Sequence, residues 1–291
     1  MTGYKQMTVV SGKGGTGKTS VLASFAALAD GKVIADTDVD AANLHIMLHP
    51  TVLTTEEFWG AKIAVRDPEK CKQCGECERA CRFDAITVDD INEYACEGCG
   101  LCTLVCPEKA LVLEPALTGD LYVSETKYGP MAHARLVPGA ESSGRLVTMV
   151  RQAAETIAIR DGLDTVIIDG PPGIGCTVTA AIADIDLALV VTEPTPSGIH
   201  DMARVLKTAD YFGVSCAVIV NKADINEALS DETERVAAEH GARAIGRLPY
   251  DSVVTEAVSA MTPVVEFAPD SGVSKAITRC WSDLEQMLKS L

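Results

Sequence analysis

Positive charge is scarce in this chain: 25 Lys and Arg face 41 Asp and Glu, leaving a net charge of −16. Neutralising a nucleic-acid backbone takes surplus Lys and Arg, so a broad nucleic-acid footprint is excluded. No apolar run approaches the roughly 20 residues that a membrane span needs. No signal peptide precedes the first apolar segment at Met7. A soluble, cytoplasmic protein without a membrane partner is therefore expected. Histidine is sparse as well, with five in all. His45 and His49 lie four apart and would share a helical face. No third ligand or adjacent Glu accompanies them, so a partly buried pair without a metal is expected.

Hydrophobic residues make up 47% of the 291 positions, enough for one large or two modest domains with a real core. Within them, Gly12, Gly17, Lys18 and Thr19 match the phosphate-cradling pattern G-x-x-x-x-G-K-[ST]. The glycines let successive backbone N–H groups turn toward a phosphate, Lys18 supplies a point charge and Thr19 offers a hydroxyl to Mg²⁺. Gly14, Gly15, Thr16 and Ser20 complete the expected nucleotide-contacting set. A short buried strand over Met7 to Val10 precedes the loop, and a helix rich in Ala and Leu over Lys18 to Ala29 follows it. Strand, loop and helix in that order make this a nucleoside triphosphate site.

A second lysine, Lys13, makes the loop read Lys-Gly-Gly-Thr-Gly-Lys-Thr. Here the chain resembles the deviant phosphate-loop ATPases of the MinD, ParA, Mrp and nitrogenase iron-protein superfamily. The resemblance implies ATP or ADP with Mg²⁺ as ligands. It also implies a homodimer or paralogue heterodimer on ATP binding, with Lys13 reaching the nucleotide of the other subunit. In Asp36-Thr37-Asp38-Val39-Asp40, Asp38 takes the position that orients the attacking water, with Asp36 and Asp40 as supporting candidates. Asp40 otherwise reads as the cap of a helix containing Asn43 and Leu44. The apolar strand Thr165 to Ile168 ends in Asp169, the carboxylate expected to reach Mg²⁺ through water, and Gly170 to Cys176 matches the family's second switch. Asn221, followed by Lys222, is implied as the adenine contact, with Leu248 to Asp251 near the base.

From about Lys62 to Glu114 the composition changes, and eight of the eleven cysteines fall between Cys71 and Cys106. Cys71, Cys74, Cys77 and Cys81 form C-x₂-C-x₂-C-x₃-C, and Cys96, Cys99, Cys102 and Cys106 repeat it 25 residues later. Ala85, Ile86 and Val88 recur as Ala110, Leu111 and Leu113, so the repeated unit is a cysteine loop plus a strand. This resembles the bacterial ferredoxin with two [4Fe–4S] clusters. In that arrangement the fourth cysteine of each run ligates the other cluster. The resemblance thus assigns Cys71, Cys74, Cys77 and Cys106 to one cluster, and Cys96, Cys99, Cys102 and Cys81 to the other. Zinc is the rival occupant of such C-x₂-C pairs. Arg82 stands where a proline usually follows the fourth cysteine.

The expected architecture is an α/β, doubly wound, mainly parallel phosphate-loop sheet with an inserted small α+β ferredoxin-like domain. Its boundaries are 1–61 and 115–291 for the ATPase and 62–114 for the insert. Ser143 should cap a helix running to about Ile159, and His200 to Phe212 should form a crossover helix. The final helix, Val273 to Leu291, mixes charge signs, unlike the basic membrane helix of the MinD family, and should pack on the sheet. Cys216 and Cys280 read as core residues. Cys176 aligns with a bridging cysteine of the iron protein. The second bridging cysteine would fall at 141–144, where there is none, so Cys176 is expected to be a switch-coupled thiol without a complete cluster site of its own. Three functions follow: an ATP-driven electron-transfer component acting on a redox partner, a cluster-assembly carrier with an acceptor protein, and a MinD-like positioning ATPase. The electron-transfer reading is preferred.

Overall fold

The computed structural model describes residues 3–140 and 143–291. In chain order the elements are β1 (Lys5–Ser11), α1 (Lys18–Leu28), β2 (Lys32–Asp36), α2 (Leu44–Leu48), β3 (Thr51–Phe58), β4 (Ala61–Arg66), α3 (Glu76–Ala80), α4 (Leu101–Val105), β5 (Leu111–Ala116), β6 (Gly119–Thr126) and β7 (Gly129–Leu136). The second half continues with α5 (Gly144–Asp161), β8 (Thr165–Pro172), α6 (Cys176–Ile182), β9 (Leu187–Thr192), α7 (Pro196–Tyr211), β10 (Ser215–Val220), α8 (Glu227–Glu239), β11 (Arg243–Arg247), α9 (Val253–Ser259), α10 (Val264–Phe267) and α11 (Gly272–Ser290).

A nine-stranded sheet runs in the order β11-β10-β9-β1-β8-β2-β7-β6-β3. Every pairing from β11 through to β7 is parallel. Such strands are buried on both faces and therefore read as continuous apolar runs. Alternation assigns the two faces of β1. Met7 and Val9 join the core that holds Leu22 and Phe25 of α1 and Leu284 and Trp281 of α11. Gln6 and Thr8 meet the other helix layer, where Thr8 Oγ1 donates to the Ala181 carbonyl at 2.7 Å and Gln6 Oε1 accepts from Arg151 at 3.2 Å. Helices on both faces of a parallel sheet make this the doubly wound α/β architecture expected from the sequence.

The chain divides into two compact units. The smaller holds Glu56–Asp120 and a segment beginning at Leu136, and the larger holds the rest. The smaller unit contains the antiparallel pair β4 and β5, with Ala61 opposite Ala116 and Arg66 opposite Leu111, together with α3 and α4. The two cysteine repeats differ here. The second is followed by strand β5, whereas the first is followed only by an isolated bridge between Ile86 and Ile91.

Several local expectations change. The residue flanking the start of the helix after Asp40 is Asn43, which makes no side-chain cap bond, and Asp40 lies in a turn before it. His45 and His49 are both exposed rather than partly buried. His49 occupies a left-handed cap, with φ 49°, which takes it off the helical face, and its Nε2 lies 2.9 Å from the Met261 carbonyl. Helix α7 begins at Pro196, a turn earlier than His200, because Thr195 caps it and proline suits the first turn. Ser143 caps α5 as expected, accepting from the Leu146 amide. Of the span where a second bridging cysteine was sought, 141 and 142 lie outside the described residues. The apolar side of α11 is buried, from Val273 through Leu288, and Trp281 packs on Phe25 with ring centroids 5.2 Å apart. Cys280 is buried and Cys216 is partly buried. Burial pushes each thiol up to about 11. No helix among the described residues is long and apolar enough to cross a membrane.

Candidate functional site

Strand β1 ends at Ser11 and the chain turns into α1 at Lys18, so the glycine loop lies at the carboxyl edge of the sheet. Two glycines are required by their surroundings. A Cβ on Gly12 would stand 2.3 Å from Asp201 Cβ, so the loop can approach α7 closely only without a side chain. Gly17 has φ +88°, and a Cβ there would meet Asn221 Nδ2 at 2.3 Å.

Lys18 is buried beneath this loop. Its Nζ lies 2.5 Å from Asp169 Oδ1 and 3.2 Å from Asp38 Oδ2, while Thr19 Oγ1 donates to Asp169 Oδ2 at 3.2 Å. Burial alone would lower the lysine's pKa, but the adjacent Asp169 and Asp38 outweigh it and hold the pKa above the usual value. Burial and then the charge of Asp169 push Asp36 well above the carboxylate range, with Lys18 opposing. Asp38 is also raised, chiefly by burial, against the pull of Lys18. The structure therefore brings together Lys18, Thr19, Asp36, Asp38 and Asp169, and leaves Asp40 exposed outside the group. Two buried oxygens here lack any partner, Asp36 Oδ2 and Thr16 Oγ1. A buried polar atom left unpaired costs on the order of 1–3 kcal/mol. Its retention at a phosphate loop fits a site completed by a nucleotide, a cation and ordered water.

Lys13 folds back within its own chain. Its Nζ lies 2.6 Å from Glu193 Oε1 and donates to Ser197 Oγ at 3.2 Å. Lys222 holds the other oxygen of Glu193 at 3.1 Å and also donates to the Gly15 carbonyl at 3.3 Å. Burial would raise the Glu193 pKa, but the two lysines bring it below the usual range. Asn221 Nδ2 donates to the Thr16 carbonyl at 2.8 Å. Glu193 was absent from the sequence-based candidates, because a carboxylate at a strand end carries no local sign of which distant lysine it meets.

In the smaller unit the eight cysteines separate into two hollows. One is lined by Cys71, Cys74, Cys77 and Cys106, with Arg66 and Leu111. The other is lined by Cys81, Cys96, Cys99 and Cys102, with Phe83 and Leu113. Each set joins three cysteines of one run to the fourth of the other. All eight thiols are free, and the Cys96 and Cys106 sulfurs accept backbone N–H bonds from Ala64 at 3.4 Å and Ala110 at 3.3 Å. Burial, then the neighbouring Cys96, pushes the Cys102 thiol up. Among the described residues no three His, Cys, Asp or Glu converge in a way that would hold a single metal ion. Cys176 is exposed at the first residue of α6.

Residues 7–264 match the family model described as the CobQ/CobB/MinD/ParA nucleotide binding domain. The chain belongs to this family. It is 32% identical over 225 residues to the uncharacterized protein MJ0578 of Methanocaldococcus jannaschii, covering 76% of this chain and 79% of that protein. It is 27% identical over 286 residues to the antiactivator FleN of Pseudomonas aeruginosa, covering 93% and 82% of the two chains. Among solved structures, the fold is shared with the septum site-determining protein MinD of Pyrococcus horikoshii, complexed with Mg-ADP. The TM-score there is 0.62 at 18% identity, over 98% of this chain and 97% of that one. The cell division ATPase MinD of Pyrococcus furiosus superposes with a TM-score of 0.59 at 20% identity, over 97% and 99%. The larger unit is thus a MinD/ParA-type ATPase with the large, mostly parallel sheet of that family.

Proposed function

We propose that the protein is a MinD/ParA-type ATPase that carries two [4Fe–4S] clusters and couples its nucleotide state to electron transfer to a partner protein. The observation that carries this reading is the sorting of eight free cysteines into two hollows, each crossing the two sequence runs. Three closely spaced thiolates cap one face of a cube and the chain then crosses over, so a two-cluster unit needs this partition. Hydrogen bonds from Ala64 and Ala110 to two of the sulfurs would stabilise thiolate ligands and tune the clusters' potential.

In the ATPase, bound nucleotide and Mg²⁺ supply the reacting phosphorus and most of its charge neutralisation. Lys18 would pair with the phosphates, the Thr19 hydroxyl and, through water, the Asp169 carboxylate would hold Mg²⁺, and Asp38 would orient the attacking water. The backbone from Gly12 to Ser20 cradles the phosphates. Lys13 leaves Glu193 to reach the nucleotide of a second subunit, which makes nucleotide binding a dimerisation signal.

A cluster-assembly carrier uses the same parts with the clusters as cargo. Positioning by surface attachment, the role that the solved relatives' names suggest, is the reading the family match and those relatives favour; set against it is the apolar side of α11, which is buried in the core. Anaerobic preparation followed by iron and sulfide analysis, with transfer to an apo-ferredoxin as a second assay, tests the proposal. About eight iron atoms per chain that stay bound support it. Zinc in their place overturns it, and quantitative cluster transfer moves the function to the carrier.

A further inference from the structure

We infer that Arg66 sets the two cysteine hollows apart, giving the cluster held by Cys71, Cys74, Cys77 and Cys106 a higher reduction potential than the other. This deepens the two-cluster reading and rests on it. Arg66 is the last residue of β4, where its backbone is fixed opposite Leu111 of β5. Its side chain lines the first hollow. Two of the three guanidinium nitrogens are held by adjacent carbonyls: Nη1 donates to Val88 at 2.6 Å and Nη2 to Thr87. The third, Nε, is buried and has no hydrogen-bond partner. A charged donor left buried and unpaired is costly. Its retention in the wall of a four-sulfur hollow fits a site whose acceptor is a cluster sulfide or a cysteine thiolate.

In other respects the hollows match. Each has one exposed cysteine, Cys74 in the first and Cys99 in the second. Each has a backbone donor on a cysteine sulfur, from Ala110 to Cys106 and from Ala64 to Cys96. Lys72, Glu76 and Glu108 of the first wall and Glu97 of the second are exposed, so water and salt screen their charges. What differs is Arg66, against a second wall built from Phe83, Ile86, Ile91, Leu101 and Leu113. Reduction adds one negative charge, which a fixed cation and its donor stabilise and an apolar wall does not. One electron passing from a reduced [4Fe–4S]⁺ in the second hollow to an oxidised [4Fe–4S]²⁺ in the first therefore runs downhill. Hydrogen bonds with a charged partner are the stronger kind, so the electron should favour the first hollow by at least about tenfold, which is about 59 mV for one electron.

The test is a dithionite titration of the anaerobic full-length protein, followed by electron paramagnetic resonance, for wild type, Arg66→Gln and Arg66→Lys. Wild type should show two midpoints separated by at least about that amount. Arg66→Gln should lower only the higher midpoint, by about tenfold in the equilibrium between the clusters. Arg66→Lys keeps the charge without the forked donors and should fall between the two. Cys102→Ser, which leaves the first hollow its cluster, should retain the higher midpoint, and this comparison decides the matter even where an Arg66 variant loses iron. Coincident midpoints in iron-replete wild type, the lower midpoint in Cys102→Ser, or midpoints in iron-replete Arg66→Gln that stay in place or shift together overturn the inference and leave the clusters standing. Wild-type protein without iron–sulfur clusters overturns the cluster reading itself.

Discussion

In the larger unit, Lys18 and its carboxylates are buried and mutually paired by the polypeptide alone. In the smaller one, the eight thiols stand partly or fully exposed around hollows, and neither α3 nor α4 buries a single residue. A unit of that size buries too little apolar surface to hold short helices in place unaided, and small domains make up the deficit with disulfides or metals. The difference teaches where each site's order originates. The phosphate site is formed by the packing of its sheet, and the ligand completes it. On the reading proposed above, the cysteine unit would draw its order from the clusters it binds.

The strongest way to break that contrast is to remove the clusters proposed above. Cys102→Ser should lower iron from about eight to about four per chain. Complete removal with a chelator should cost the amides of β4 and β5 on the order of a hundredfold in hydrogen-exchange protection. Amides of β1, β8 and β9 should keep theirs. Equal loss in both units would show one cooperative fold rather than two.

Lys18→Ala attacks the other side. It leaves Asp36, Asp38 and Asp169 buried without their cation, and breaking a buried pair costs about 3–5 kcal/mol. Unfolding stability should fall by about that amount and nucleotide binding should vanish, while iron content and the brown colour persist. Retained hydrolysis would contradict the assignment of Lys18.

How legible this was depended on the kind of interaction. Strands β1, β2, β8, β9 and β10 were readable because both faces are buried, which leaves largely apolar runs, reaching Asp36 in β2, Asp169 in β8 and Asn221 just after β10 at the ligand edge. Glycine and cysteine spacings carried the two sites, since covalent geometry fixes them locally. Strand β3 gave no signal, as every residue but Phe58 is exposed and no alternation marks it. The Glu193 bridge to Lys13 and Lys222 joins residues far apart in sequence. His133 of β7 instead meets the neighbouring strand β6, where its Nε2 lies 2.8 Å from the buried Ser124 hydroxyl and its ring stacks on Tyr122 with centroids 5.1 Å apart.

His133 sharpens the comparison through pH. Burial, with a smaller contribution from the charge of His45, lowers its pKa from 6.5 to about 4. Between those values the unfolded chain binds a proton that the folded chain does not, so this stability is complete above pH 6.5 and is lost as pH falls toward 4. The loss amounts to about 3 kcal/mol. Urea titrations at neutral and acidic pH should show it in the larger unit, and His133→Gln should flatten it. An identical pH dependence in that variant would assign the loss elsewhere.

The smallest effect belongs to Glu193. Its lysine pairs are partly exposed, so Glu193→Gln should change stability by about 1 kcal/mol or less. By freeing Lys13 it should lower the concentration of a non-hydrolysable nucleotide at which light scattering detects dimers. Lys13→Ala should abolish that dimerisation without affecting monomer folding. A wild-type protein that stays monomeric at saturating nucleotide would remove the role given to Lys13 across subunits.

The coupling of the two units is tested most directly by a potentiometric titration of the anaerobic protein, followed by electron paramagnetic resonance with and without Mg-nucleotide. Two reducible [4Fe–4S] clusters per chain, with a midpoint potential that moves when nucleotide binds, are the predicted result. A cluster-free spectrum, or midpoints that stay the same at saturating nucleotide, would contradict the account.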